Sequence, residues 1–106
     1  MDEAITVIQD YIQETLFEPE SDWPKSEFYA RCYARWAANE ILERLIKEDM
    51  KLPSYLTGKK KRRPFDIIKE FIDEMDYYSE IGECKQSRYI FAIAKNTAID
   101  IILLFL

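Results

Sequence analysis

The chain repeats itself at an offset of sixty residues: residues 5–46 align without a gap on residues 65–106. Identical pairs are Ile8/Ile68, Ile12/Ile72, Glu14/Glu74, Glu20/Glu80, Lys25/Lys85, Tyr29/Tyr89, Ala34/Ala94, Ala38/Ala98 and Ile41/Ile101. Close substitutions include Val7/Ile67, Asp10/Glu70, Tyr11/Phe71, Arg35/Lys95, Glu40/Asp100 and Leu42/Ile102. A common amphipathic pattern accounts for isoleucine over isoleucine. It accounts less well for the paired small residues, or for acid over acid at Glu40/Asp100. Self-similarity at a fixed period marks a duplicated supersecondary unit and dictates the architecture built from it.

Two stretches carry the repeat, 30–45 (ARCYARWAANEILERL) and 90–105 (IFAIAKNTAIDIILLF). Both have apolar and small residues at helical spacing. A lone αα-hairpin leaves one apolar face uncovered, and a second copy related by a pseudo-twofold covers it. The expected fold is therefore all-α: a four-helix bundle built from two tandem αα-hairpins. Repeat 1 spans 3–48, a basic linker 49–63, and repeat 2 64–106, all within one domain over 1–106.

The first helix is expected over 3–17, with Asp2 as N-cap. Ile5, Ile8, Ile12 and Leu16 form its inner stripe, widened by Val7 and Tyr11. A polar connection leads to Pro24, close to the start of the second helix, which should run from about Lys25 to Glu48. There Ala30, Ala34, Ala37, Ala38, Ile41 and Leu45 form the buried stripe, and the alanines permit close approach of another helix. Tyr29, Tyr33 and Trp36 flank that stripe as core-edge residues. In the linker, Pro53 and Gly58 should break helix, and Pro64 should open the third helix. That helix, over 65–78, turns Ile68, Phe71, Ile72 and Met75 inward, and Lys69, Glu70, Asp73, Glu74 and Asp76 outward. Gly82 should end it. The fourth helix is expected from Gln86 to the C-terminus, burying Phe91, Ala94, Ala98, Ile101, Ile102 and Phe105. Its end, 101–106, is apolar on all sides, which predicts a central position or burial by a second subunit. A homodimer through this helix, or through the aromatic flank of the second, follows as an expectation.

Composition narrows the chemistry. The 48% of apolar residues supplies a core. Only two glycines, Gly58 and Gly82, argue against an all-β fold and exclude a Gly-rich phosphate loop. Histidine is absent, which excludes His triads, His-ligated metals and the usual general base near neutral pH. Cys32 and Cys84 are not at equivalent repeat positions, so a disulfide framework is not expected and a reducing compartment is. Met1 is followed at once by Asp2 and Glu3, unlike a secretory signal. Residues 89–106 contain Lys95, Asn96 and Asp100, and read as a core helix rather than a membrane span. The expected location is cytoplasmic, with no membrane partner.

The net charge of −5 hides a basic run, Lys59, Lys60, Lys61, Arg62 and Arg63, in an otherwise acidic chain. Five cations on a loop attract acidic protein surfaces or phosphate backbones. Placed just before a helix N-terminus they oppose its macrodipole, so the run does not serve to stabilise the third helix. No aromatic interleaves the lysines, and Tyr55 is the nearest. The acidic faces of the first and third helices, with Asp10, Glu14, Glu70, Asp73 and Glu74, are a second candidate docking surface, for a basic partner. The equivalent acids Glu40 and Asp100 sit in apolar context. Burial would require a partner for each, which Arg35 and Lys95 could supply across the pseudo-twofold.

The spacing Glu40-x-x-Glu43 followed by Glu70-x-x-Asp73 resembles the ExxE…ExxD magnesium signature of all-α nucleotide pyrophosphohydrolases of the MazG and dUTPase type. The resemblance implies carboxylates on facing helices holding Mg²⁺ against a triphosphate. It rests on four residues, and Glu70 and Asp73 lie opposite Ile68, Phe71 and Ile72, on the expected solvent face. A broader resemblance, carried by ARWAANEIL (34–42), DIIKEF (66–71) and FAIAKNTAIDII (91–102), is to small uncharacterised helical proteins of bacterial phages and mobile elements. It implies no activity, cofactor or catalytic residue. Together these features predict a non-enzymatic protein-binding or regulatory protein, such as a host-interaction protein or defence inhibitor. Nucleic-acid binding through 59–63 and Mg-dependent pyrophosphohydrolysis are the alternatives.

Overall fold

The computed structural model describes residues 2–106, whose regular structure is entirely helical, with no strand among them. Five helices follow in order: α1 (Asp2–Glu14), α2 (Lys25–Asp49), α3 (Ser54–Thr57), α4 (Pro64–Ile81) and α5 (Lys85–Leu103). α3 is a single turn inside the expected linker. Pro53 precedes it and Gly58 ends it with φ 73°, its N–H donating to the Ser54 carbonyl at 2.8 Å. The two helix breakers thus bracket a turn of helix rather than prevent one, since proline suits a helix start and glycine the left-handed position after its end.

Most of the other boundaries move by a few residues. α1 includes Asp2, the expected cap, and stops at Glu14, so Leu16 is buried in the chain that leaves it. α4 starts at Pro64, as expected, and runs on to Ile81. Gly82 ends it in an extended conformation. Its small size matters for a different reason: a Cβ there would lie 2.7 Å from Arg88 Cγ.

α2 and α5 form the centre. Ala34, Ala37, Ala38 and Ile41 of α2 are buried, and so are Ala94, Thr97, Ala98 and Ile101 of α5. The small side chains let the two backbones pack closely, and Thr97 returns its hydroxyl to the Ile93 carbonyl at 2.9 Å, so its burial leaves no unpaired group. α1 lies against α2 through Ala4, Ile8 and Ile12, and α4 lies against α5 and α2 through Ile67, Ile68, Phe71 and Met75. Each such Ile or Phe contributes about 1.5–3 kcal/mol by leaving water. Ile67 was not foreseen in the core. It extends the α4 stripe to a second face because α4 touches two helices, not one.

The molecule is elongated, 51 × 32 × 22 Å. Its radius of gyration of 15.2 Å exceeds the about 13 Å of a compact domain of this length. A thin core follows, and with it a surface rich in apolar side chains. The end of α5 is the clearest case. Ile101 is buried and Ile102 and Phe105 pack on the core, as expected, but Leu103, Leu104 and Leu106 are exposed, so the apolar 101–106 end is covered on one face only. Tyr29 and Trp36 are likewise exposed on α2. No helix of the described chain is long and apolar enough to cross a membrane.

Candidate functional site

The last turn of α2 ends in Glu48 and Asp49, two acids at a helix C-terminus, where the macrodipole disfavours negative charge. Glu48 is also buried, at 3% exposure. Its carboxylate is held from two sides. Lys51 Nζ lies 2.7 Å from Oε2, and the backbone N–H of Arg62 donates to Oε1 at 2.6 Å. The Arg62 guanidinium stands 3.7 Å from Oε2. The hydrogen bond from Lys51, then that from the Arg62 amide, holds this carboxyl below the ordinary glutamate range. Lys61 donates to the Asp49 carbonyl at 2.8 Å, satisfying one of the carbonyls that a helix end leaves open.

The basic run therefore divides. Arg62 bridges Glu48 and Glu70, Arg63 pairs with Asp66 at 3.1 Å, and Lys61 caps α2. Lys61 and Arg62 thus do stabilise a helix end, that of α2, which lies next to the run only once the chain has folded back, while Arg63 pairs within the first turn of α4. Lys59 and Lys60 form no ion pair among the described residues. Next to them the connection exposes Met50 (79%), Leu52 (63%), Tyr55 (84%) and Leu56 (62%). A hollow of about 380 Å³ opens between these groups, lined by Glu48, Lys51 and Leu52 on one side and by Thr57 and residues 59–62 on the other. Gly58 makes the reversal that brings 59–62 over the end of α2, and Thr57 Oγ1 accepts the Lys59 N–H at 3.2 Å.

The acidic candidates are scattered and partly neutralised. Glu70 is bound by Arg62, and Glu74 by Arg44 at 2.7 Å. Arg44 also stacks on the Phe71 ring at 5.0 Å and contacts Glu40 at 3.6 Å, so it ties α2 to α4. Asp10, Glu14 and Asp73 are exposed, with no basic side chain in salt-bridge range among the described residues.

The metal alternative, Glu40, Glu43, Glu70 and Asp73, is not brought together. Glu40 faces Arg44, Glu43 pairs with Lys47 at 3.1 Å, Glu70 is held by Arg62, and Asp73 is exposed. Among the described residues no group of three or more acids, cysteines or histidines is placed to hold a metal ion. Three-residue spacing sets two acids on one helix face, but Arg44 binds Glu40 and Arg62 binds Glu70, so one acid of each pair is already set against a cation.

Arg35 and Lys95 do not reach Glu40 and Asp100. Asp100 is exposed and needs no partner. Arg35 instead donates to the Leu16 carbonyl and lies 3.7 Å from Glu18, while Lys95 donates to Asp76 at 2.6 Å. The buried carboxylate of this fold is Glu48, which in the sequence marks only a helix end. Its one sequence signal is an acid in a last helical turn followed by Lys51 and a basic run. Cys32 and Cys84 are both free. Cys84 caps α5, its sulfur accepting the Ser87 N–H at 3.4 Å. Bonding to Ser87 lowers its thiol pKa. Comparison of the chain with models of protein families, with curated proteins and with solved structures finds no match.

Proposed function

We propose that this protein is a non-enzymatic, cytoplasmic protein-binding module that docks on an acidic partner through residues 50–60. The observation that carries the reading is the composition of that surface. Met50, Leu52, Tyr55 and Leu56 are exposed beside Lys59 and Lys60, which the acidic body leaves unpaired. Isolated apolar side chains on a surface are ordinary, but several in one short segment with cations at its rim form the centre and edge of a docking patch. The Glu48 tether holds the segment, so less ordering entropy is lost on binding.

The finer architecture belongs to the same reading: two tandem hairpins, α1 with α2 and α4 with α5, about a pseudo-twofold. It is supported by burial at Ala34, Ala38 and Ile41 and at their counterparts Ala94, Ala98 and Ile101. The Arg35–Leu16 and Lys95–Asp76 tethers, sixty residues apart, support it too. The resemblance to small helical proteins of phages and mobile elements points to a host protein as the partner. The exposed end of α5 offers a surface for a second copy.

The test is affinity capture from lysate with three forms: the wild type, a segment variant (Met50, Leu52, Tyr55, Leu56, Lys59 and Lys60 to serine), and an acid-face variant (Asp10, Glu14 and Asp73 to the amides). A protein retained by the wild type and the acid-face variant, and lost with the segment variant, is the expected result. Loss with the acid-face variant alone would move docking to the helix faces. Recovery abolished by nuclease would favour nucleic acid, for which the exposed Tyr55 beside Lys59 and Lys60 is the relevant feature.

A further inference from the structure

The hollow at the end of α2 has more positive charge than its structural role uses. Lys51 and Arg62 are set against Glu48, and Arg62 also against Glu70. Lys61 donates to a carbonyl, not a carboxylate. Lys59, Lys60 and Lys61 thus line one cavity with no carboxylate among the described residues paired to any of them. In a chain with 20 acids and 15 bases, three adjacent lysines left this way repel one another, and a bound anion relieves the repulsion.

We infer that this hollow is an oxyanion pocket which receives a phosphate-class dianion carried by the protein partner, a phosphorylated side chain. This assignment rests on the docking reading above. The chemistry favours phosphate over a single carboxylate. A carboxylate is satisfied by one cation, whereas the diverging oxygens of a phosphate accept from several separate ammonium groups at once. The charge of Glu48 is offset by the Lys51 ammonium at 2.7 Å and the Arg62 guanidinium at 3.7 Å, so it leaves the three lysines uncompensated. Glu48 fixes the position of the 59–62 backbone instead. Leu52, in the cavity wall, and exposed Met50 and Leu56 provide contact for apolar residues flanking the phosphorylated one. The cavity of about 380 Å³ exceeds one phosphate group and accommodates a phosphorylated side chain with a neighbour.

The test is a ¹⁵N-resolved NMR titration of the full chain with sodium pyrophosphate, beside sodium chloride at matched ionic strength. Saturable shifts confined to Lys51, Leu52 and residues 57–62, absent with chloride, are expected. The variant K59S/K60S, whose changes lie on exposed side chains, should weaken binding by about tenfold or more while keeping the wild-type urea midpoint. The variant K25S/K85S should bind as the wild type does. An acetylated leucine–phosphoserine–phosphoserine–leucine peptide should compete with pyrophosphate, and its serine form should not. Shifts reproduced by chloride, or spread over Lys25 and Lys85, overturn the pocket. If a protein is still captured through 50–60 in that case, the docking reading stands without it. Displacement of pyrophosphate by duplex DNA at lower concentration than by the phosphopeptide overturns the assignment to a protein partner.

Discussion

Glu48 accepts the Arg62 backbone N–H at 2.6 Å across fourteen residues, so a buried carboxylate at the end of α2 fixes the loop that returns to α4. Replacing Glu48 with alanine leaves that amide unpaired and releases Lys51. We expect a loss of about 1–3 kcal/mol in urea unfolding. Hydrogen exchange should show lost protection at the Arg62 amide. Glutamine, which keeps one acceptor, should lose less. Unchanged protection in the alanine variant would show that the loop is held by other contacts.

The same carboxyl sets a pH dependence. Its pKa in the folded chain lies below the ordinary value of 4.5, first because Lys51 donates to the charged form and then because the Arg62 amide does. The folded state therefore binds fewer protons at this site than the unfolded chain. Its contribution is present above about pH 4.5 and is lost as the pH falls through the lowered folded value. We expect the stability of the wild type to fall more steeply below pH 4.5 than that of Glu48→Gln. Parallel curves would exclude the role.

Close approach of α2 and α5 depends on alanine. Ala38 and Ala98 are fully buried, and enlarging either to leucine should cost about 1–3 kcal/mol or more through forced separation of the helices. Ile41→Ala and Ile101→Ala, at counterpart positions of zero exposure, should each cost about 2–5 kcal/mol. If one of this pair proves neutral in thermal or urea unfolding, the two halves do not share a core.

The two thiols should differ in reactivity. Cys84 is exposed, and bonds from Ser87 lower its pKa below the ordinary 9.0. Cys32 is half-buried in α2. We expect a disulfide reagent at neutral pH to modify Cys84 first, with a rate midpoint below pH 9.0. Cys84→Ser should retain the helix cap and abolish the fast phase. A fast phase that persists would assign it to Cys32.

Arg44 joins α2 to α4 by contacts to Glu74, Glu40 and the Phe71 ring. Arg44→Met preserves the stem and removes the charge. We expect a cost of about 1 kcal/mol in urea unfolding, more than for Lys47→Met, whose partner Glu43 is exposed. Equal costs would show that the Arg44 contacts add nothing beyond those of a surface pair.

The sequence by itself determined the helical class, the pattern of small and branched residues along α2 and α5, and the start of α4 at Pro64. These follow from local geometry: helical period, proline's fixed φ, and alanine where another backbone must come near. Tertiary structure alone decided which charges are free. Lys59 and Arg62 are three residues apart in one basic run, yet one is unpaired and the other bridges Glu48 and Glu70. Only the reversal at Gly58 brings Arg62 over the end of α2. The same reason separates the acids. Glu40, Glu43, Glu70 and Asp73 have the spacing of paired ligands, but spacing fixes a face of one helix, and the facing of two helices is set by the core between them. The apolar end of α5 reads as buried from its composition. It is buried on one face only: Ile101, Ile102 and Phe105 meet the core while Leu103, Leu104 and Leu106 face outward, and no local pattern in an all-apolar stretch records which face a neighbouring helix covers.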